Sequence, residues 1–216
     1  FNGLQPIKIK EAEGLYKFLF VGEAIKRKNI HGLITAYYNM NKGTPAVLIL
    51  KTNVPGLNPQ EARQYINQII DQVQRGCRIY SSPELYPPII VLTEYFSNEA
   101  MNGLYNYCDC FVTASHGEAI CYPMLDCMAF NKPILTSDNK YVNTYTINTN
   151  TIMCYGQNTF SNYNTTREYW KDPDLIQLSQ AMTSHCDNKV KYVEHNMSNV
   201  SFDKCGQEYM ERLLCS

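Results

Sequence analysis

The chain has 216 residues, 44% hydrophobic and 18% charged, with a formal net charge of −1, which suits one well-buried α/β domain and excludes a disordered chain. Without a dense Lys/Arg block the counterion release that drives nucleic-acid binding has no source, so nucleic acid is not an expected partner. Apolar runs such as 46–50 and 89–92 fall far short of the ~20 residues that cross a bilayer. Phe1 opens no secretory signal pattern, and nine scattered cysteines fit a reducing compartment better than a disulfide framework. The expectation is a soluble, cytoplasmic domain over residues 1–216 with no transmembrane segment.

Residues 17–22 form an apolar run closed by Gly22, then a polar loop and a helical pattern over 29–40; this predicts strand, loop, helix. Residues 46–51 read as a second buried strand, 59–74 as an amphipathic helix and 89–92 as a third strand. The alternation continues with a helix over 98–107, a strand over 110–113, a helix over 122–130 and a strand over 133–136. Such alternation predicts an α/β, Rossmann-like parallel sheet with helices on both faces, its ligand site at the C-terminal ends of the strands. Residues 138–170 look like a long surface connection with a short candidate strand over 151–155. From Asp174 to the end the chain reads as helical, with Leu175, Ile176, Leu178, Ala181 and Met182 on one apolar face. Three glycosylation sequons, beginning at Asn164, Asn196 and Asn199, carry no weight in so Asn-rich a chain.

Two loops at the expected binding edge hold the candidate chemistry. After Gly22, the run Glu23 to Asn29 brings Arg27 and Lys28 to a helix N-terminus, where unpaired amides and the helix dipole favour an anion; the same charges also suit a solvated loop. After the strand at 110–113, Glu118 stands at the mouth of the next helix and Asp126 lies about one turn inside it. Two carboxylates so placed can accept from the paired hydroxyls of a ribose or hexose, and they equally fit a helix-start Glu and a solvent-facing Asp. A zinc site from Cys108, Cys110, Cys121 and Cys127 is rejected, because Cys110 alternates into a buried strand and no paired C-x2-C knuckle is present. His116 is a candidate general base or donor to a sugar, though a lone loop histidine is more often plain polar surface.

Several ordered segments resemble the C-terminal domain of retaining GT-B glycosyltransferases of family 4. Phe18-Leu19-Phe20-Val21-Gly22 through Arg27-Lys28-Asn29 is similar to that family's opening strand and loop, and Glu118 through Asp126 to its Glu-x7-Glu motif. Cys127 through Ile134 resembles its "Ala-Met-Ala-x-Gly-x-Pro-Val" continuation, 104–112 its "Leu-Tyr-x-x-Ala-Asp-x-Phe-Val" segment, and 170–174 a "Trp-x-x-Pro-Asp" of some members. The resemblance implies a domain that binds a UDP-sugar or GDP-sugar and transfers the sugar to a glycan or other acceptor hydroxyl with retention, with no cofactor and no metal. It assigns the diphosphate to Lys28 with Arg27, and the donor sugar to Glu118. The ribose goes to Asp126, the sugar and phosphate to backbone amides of Ala119, Ile120 and Cys121, and the base to the loop Thr93-Glu94-Tyr95, with Gly22 at the turn. Two positions depart from it: Glu23 replaces a frequent arginine, and Asp126 is shorter than the usual Glu by about 1.5 Å.

The acceptor-binding half of a GT-B enzyme is expected outside this chain. A non-catalytic nucleotide-sugar-binding or scaffold domain, and a related epimerase or phosphorylase, are the alternative functions. The absence of a GxxxxGK[ST] loop argues against a nucleotide triphosphatase.

Overall fold

The computed structural model describes residues 7–137, 145–153 and 169–195, together with Lys204, Gln207 and Met210, which lie in helix. Its main sheet has six parallel strands in the order β3-β2-β1-β4-β5-β6. They are β1 (Tyr16–Glu23), β2 (Ala46–Asn53), β3 (Ile89–Leu92), β4 (Cys110–Val112), β5 (Ile134–Ser137) and β6 (Tyr145–Ile147). Accompanying them among the described residues are the helices α1 (Ile30–Tyr38), α2 (Pro59–Cys77), α3 (Asn98–Tyr107), α4 (Tyr122–Ala129) and α5 (Leu175–Asp187).

The apolar runs follow from this layering, because a strand covered on both faces has no polar side. Phe18 and Phe20 of β1 and Leu48 and Leu50 of β2 enter one core with Leu33, Ile34 and Tyr37 of α1, Ile66 of α2, and Leu178 and Met182 of α5. Leu19, Val47 and Ile49 point the other way, into a second core with Leu104 and Tyr105 of α3, Met124, Cys127 and Met128 of α4, and Ala12. Each such side chain fully buried is worth about 1.5–3 kcal/mol in transfer from water.

The helix starts are written in the sequence. Asn58 accepts from the amides of Gln60 and Glu61, and Glu61 returns a bond to the Asn58 amide, a capping box with Pro59 inside it. Ser97 caps α3, and Asp174 caps α5 through the amides of Ile176 and Gln177. At α1 the cap is Asn29, whose left-handed backbone (φ 50°) turns the chain so that its side chain accepts from the Gly32 amide.

Three expectations need correction. The stretch read as a surface connection contains β6, paired in parallel with β5, and two further strands, β7 (Thr149–Met153) and β8 (Tyr169–Pro173), forming an antiparallel ribbon. Cys154 and Tyr155 of the candidate strand, and the three sequons, lie outside the described residues. Ile176 is 72% exposed, because Leu178, Ala181, Met182 and Cys186 turn the buried stripe of α5 away from it. Finally, α5 ends at Asp187, and the chain then runs without helix through 190–195 along the N-terminal edge of the sheet. There Val190 accepts from the Tyr16 hydroxyl and His195 meets the Lys132 carbonyl.

Candidate nucleotide-sugar site

The chain steps from β1 to β2 to β3 in one direction across the sheet, then returns to place β4 on the other side of β1. In open α/β sheets the loops at such a reversal of strand order lead to helices on opposite faces, and ligands bind in the crevice outside those strand ends. Both candidate loops stand at that crevice.

Gly22 is the penultimate residue of β1 and sits against the stem of Lys28; a Cβ there would meet Phe20 Cζ at 3.2 Å and Lys28 Cε at 3.4 Å. The absent side chain lets the lysine lie along the strand end. Its ammonium donates to Glu118 Oε1 at 2.6 Å, and Arg27 reaches Glu118 Oε2 at 3.0 Å. The Ser115 hydroxyl adds a donor to Oε1 at 2.8 Å. Both the Lys28 and Glu118 side chains are largely buried, with 13% and 10% of their surface exposed, while Arg27 keeps 35%.

Burying such charges costs several kcal/mol per ion, which the attraction offsets only with good geometry. The surrounding bonds supply that geometry. His116 N donates to Arg27 O at 2.8 Å, Arg27 Nη1 donates to Gly117 O, and Asn29 Nδ2 donates to Ala114 O at 3.1 Å. Two cations face one carboxylate, so the cluster carries one net positive charge.

Beside it, α4 begins after Cys121; Pro123 has no N–H and the Met124 amide bonds back to Cys121, so what this helix start offers is chiefly the positive end of its dipole. Ala119 and Ile120 are exposed on the approach to this helix start, and Cys121 is buried, its thiol pushed up by burial and then by the charge of Glu118. Net positive charge and a helix N-terminus together form a place for an anion. Glu23, at the end of β1, is exposed to solvent.

Asp126 and the 93–95 loop have other partners. Asp126 is an exposed residue of α4, as the solvent-facing alternative expected, and accepts from the Tyr105 hydroxyl of α3; desolvation of its carboxyl raises it above the usual aspartate value, against the lowering effect of that bond. It shares no partner with Glu118 among the described residues. Thr93 is buried and its hydroxyl donates to Pro59 O at 2.8 Å, fixing the start of α2. Glu94 pairs with Arg63, and its carbonyl accepts from Lys51 Nζ at 2.8 Å; Tyr95 stands 92% exposed. This loop leaves β3, two strands from β1 and so roughly 10 Å along the same edge.

The residues that sequence reasoning left without a role are Ser115 and the strand β8. The Ser115 hydroxyl, with its single proton on the shortest of these contacts, Glu118 Oε1, also lies 3.1 and 3.2 Å from Arg27 O and Gly117 O. His116 is neither a bare surface residue nor an open base: its ring stacks on Trp170 and Nδ1 lies 3.2 Å from Lys171 O. A polar residue three positions past the end of a buried strand was the available signal for Ser115; none foretold the stack.

No protein family profile matches the chain, and no curated protein sequence matches it. Solved structures do. The C-terminal domain of the glycosyl transferase group 1 family protein LpcC from Francisella tularensis aligns with 88% of this chain and 88% of its own length, at 15% identity and a TM-score of 0.56. HepE of Anabaena, in complex with UDP and glucose, aligns with 94% of this chain at 12% identity and TM-score 0.54, over 49% of its own length. A UDP-forming trehalose-phosphate synthase from Burkholderia xenovorans, in complex with glucose-6-phosphate, aligns with 83% of this chain at 6% identity and TM-score 0.58, over 37% of its own length. The chain thus spans half or less of these two larger proteins. Identities this low speak for architecture alone: the chain has the fold of the C-terminal domain of GT-B glycosyltransferases.

Proposed function

We propose that this domain binds a nucleotide diphosphate sugar, a UDP-sugar or GDP-sugar, across the β1/β4 crevice and transfers the sugar to the hydroxyl of a glycan or other acceptor with retention. The observation that carries the reading is the convergence of Arg27, Lys28 and Glu118 at the switch point of the sheet. In the reaction the bond from the anomeric carbon to the diphosphate oxygen breaks, the acceptor oxygen bonds to that carbon, and the hydroxyl proton leaves with the diphosphate. Lys28, Arg27 and the N-terminal dipole of α4 meet the growing negative charge, the task otherwise given to a metal ion. Glu118 orients the sugar, while its bonds to both cations hold them ready before the donor arrives. Asp126 takes the ribose hydroxyls and the 93–95 loop the base, the latter about two strand spacings away along the edge. The acceptor-binding half is a separate GT-B domain, in keeping with the partial span of the larger neighbours.

A second reading, a non-catalytic nucleotide-sugar-binding or scaffold domain, draws on Glu23, exposed beside the crevice where the family resemblance has arginine. Calorimetric titration with UDP, GDP and their hexose conjugates tests the first reading. Binding of one nucleotide, weakened about 10- to 100-fold by Lys28→Ala and unaffected by chelator, is the expected result. Failure of the folded protein to bind any of them at millimolar concentration would sink it, and binding with no transfer in the presence of the acceptor domain would select the second.

A further inference from the structure

His116 stands where three segments meet. Its amide donates to Arg27 O at 2.8 Å and its carbonyl accepts from Lys171 N at 2.9 Å. Its ring lies nearly flat on Trp170, with centroids 5.0 Å and planes 10° apart. Nδ1 faces the Lys171 carbonyl at 3.2 Å, so that nitrogen carries a proton and donates, with Asp172 Oδ1 at 3.5 Å behind it. Only 10% of the side chain is exposed. The strand β8 therefore grips one residue by ring, ring nitrogen and backbone together.

What that residue controls is the turn carrying the site. Ser115 precedes it and Glu118 follows two residues later, and these two supply the carboxylate cluster with its acceptor and one of its donors. Gly117 lies between, with nothing within 4 Å of where a Cβ would be. A glycine in open space leaves the turn free to change its backbone angles unless something outside holds it. The Arg27 and Lys171 bonds of His116 supply part of that outside hold, beside the Arg27 guanidinium on Gly117 O and the Ser137 hydroxyl on Ser115 O.

We propose that the β7–β8 ribbon is a working part of the donor site, and that His116 is a positioning residue that sets the Ser115–Glu118 turn against Arg27 and Lys28 by stacking on Trp170. The inference rests on the nucleotide-sugar reading of that site. Since Glu118 and His116 share one short turn, donor occupancy and ribbon docking are linked, and linkage is reciprocal. An undocked ribbon weakens the donor, and a bound donor tightens the stack.

Trp170 is the only tryptophan in the chain, so its emission reports this docking directly. Titration of the protein with UDP and GDP, followed in parallel by calorimetry and by Trp170 emission, should give one saturable emission change at the concentration where heat is released. His116→Ala should abolish that change and weaken binding about three- to tenfold, the scale of a lost ring pair. His116→Phe keeps the ring without Nδ1 and should recover most of the affinity. If His116→Ala does not fold, His116→Gln, which keeps a donor but no ring, makes the same comparison by melting and binding. Nucleotide that binds wild type and a ringless, folded variant equally well, or that binds without moving Trp170 emission, overturns the positioning role and leaves the donor site standing. No binding by wild type overturns both, and Lys28→Ala separates the cases, because it weakens binding only where the donor reading holds.

Discussion

The two ends of β4 carry the same chemistry in different settings. Before the strand, Asp109 is 9% exposed at its side chain and meets Lys17 at 3.1 Å and Lys191 at 3.2 Å, with the Lys17 amide as a further donor at 2.9 Å. After it, Glu118 is 10% exposed and meets Lys28 at 2.6 Å and Arg27 at 3.0 Å, with Ser115 as the further donor. Each is a nearly buried carboxylate held by two cations and one neutral donor. They differ in place. Asp109 lies at the N-terminal edge of the sheet, where it ties β1 to the segment after α5. Glu118 lies at the C-terminal edge, where the strand order reverses and a helix N-terminus points into the crevice. A charge cluster becomes a candidate binding site through its position in the topology, and its composition alone does not distinguish it from a staple.

The largest expected effect falls on the staple. Asp109→Ala leaves Lys17 without its nearly buried counter-charge and should cost about 3 kcal/mol of folding stability, read by urea denaturation. Nucleotide affinity per folded molecule should stay as in wild type. Lys28→Ala should do the reverse: Arg27 still neutralises Glu118, so the melting temperature moves little while nucleotide binding falls 10- to 100-fold. If Asp109→Ala weakened nucleotide binding as strongly as Lys28→Ala, the division between the two ends of β4 would be wrong.

The sheet was legible because its strands are buried on both faces and so appear as unbroken apolar runs, Phe18 to Val21 and Ala46 to Leu50 among them. The helices over 59–74 and 98–107 were legible by apolar spacing, and the structure adds the caps Asn58, Ser97 and Asp174 at their starts and at that of α5. Past 138 the signal changes kind. Tyr145–Ile147 is strand because β5 presents a free edge to it, and 169–173 is strand because 149–153 pairs with it; neither partner can be read from local periodicity. In the site, the residue types at Lys28 and Glu118 were visible, but their meeting spans 90 positions, and the His116–Lys171 contact spans 55. Family resemblance bridged the first gap. Nothing in the order of residues bridged the second.

Asp126 sharpens the comparison, since its partner is a neutral phenol in place of a cation. Burial raises its carboxyl above the ordinary 3.8, so the folded state favours the protonated form. Its contribution to stability is thus fully present below the ordinary aspartate value and is lost as pH rises through the raised one. On the proposed reading, ribose hydroxyls act in the other direction, because they donate to the ionised carboxylate and favour it. Nucleotide affinity should therefore fall as pH drops through the raised value, earlier than an ordinary aspartate would allow. Asp126→Asn should remove that dependence, weaken binding about three- to tenfold at neutral pH and leave the protein no less stable. Calorimetry across a pH series reads all three, and an unchanged pH profile in Asp126→Asn would take the ribose away from this residue.

Glu94 and Arg63 supply the exposed limit of the same series. Their side chains are 53% and 45% exposed, so water screens the pair and two long side chains must be ordered to make it. Arg63→Ala should change stability by less than about 1 kcal/mol, and the difference should shrink further in high salt, whereas the Asp109 effect should survive it. The loop itself is held independently, by the Thr93 hydroxyl on Pro59 O and by Lys51 on the Glu94 carbonyl. Base preference between UDP and GDP should for that reason be untouched in Arg63→Ala. A changed preference would mean that the Glu94 carboxylate, once released from Arg63, reaches the base, and that even an exposed pair at this edge of the sheet takes part in choosing the nucleotide.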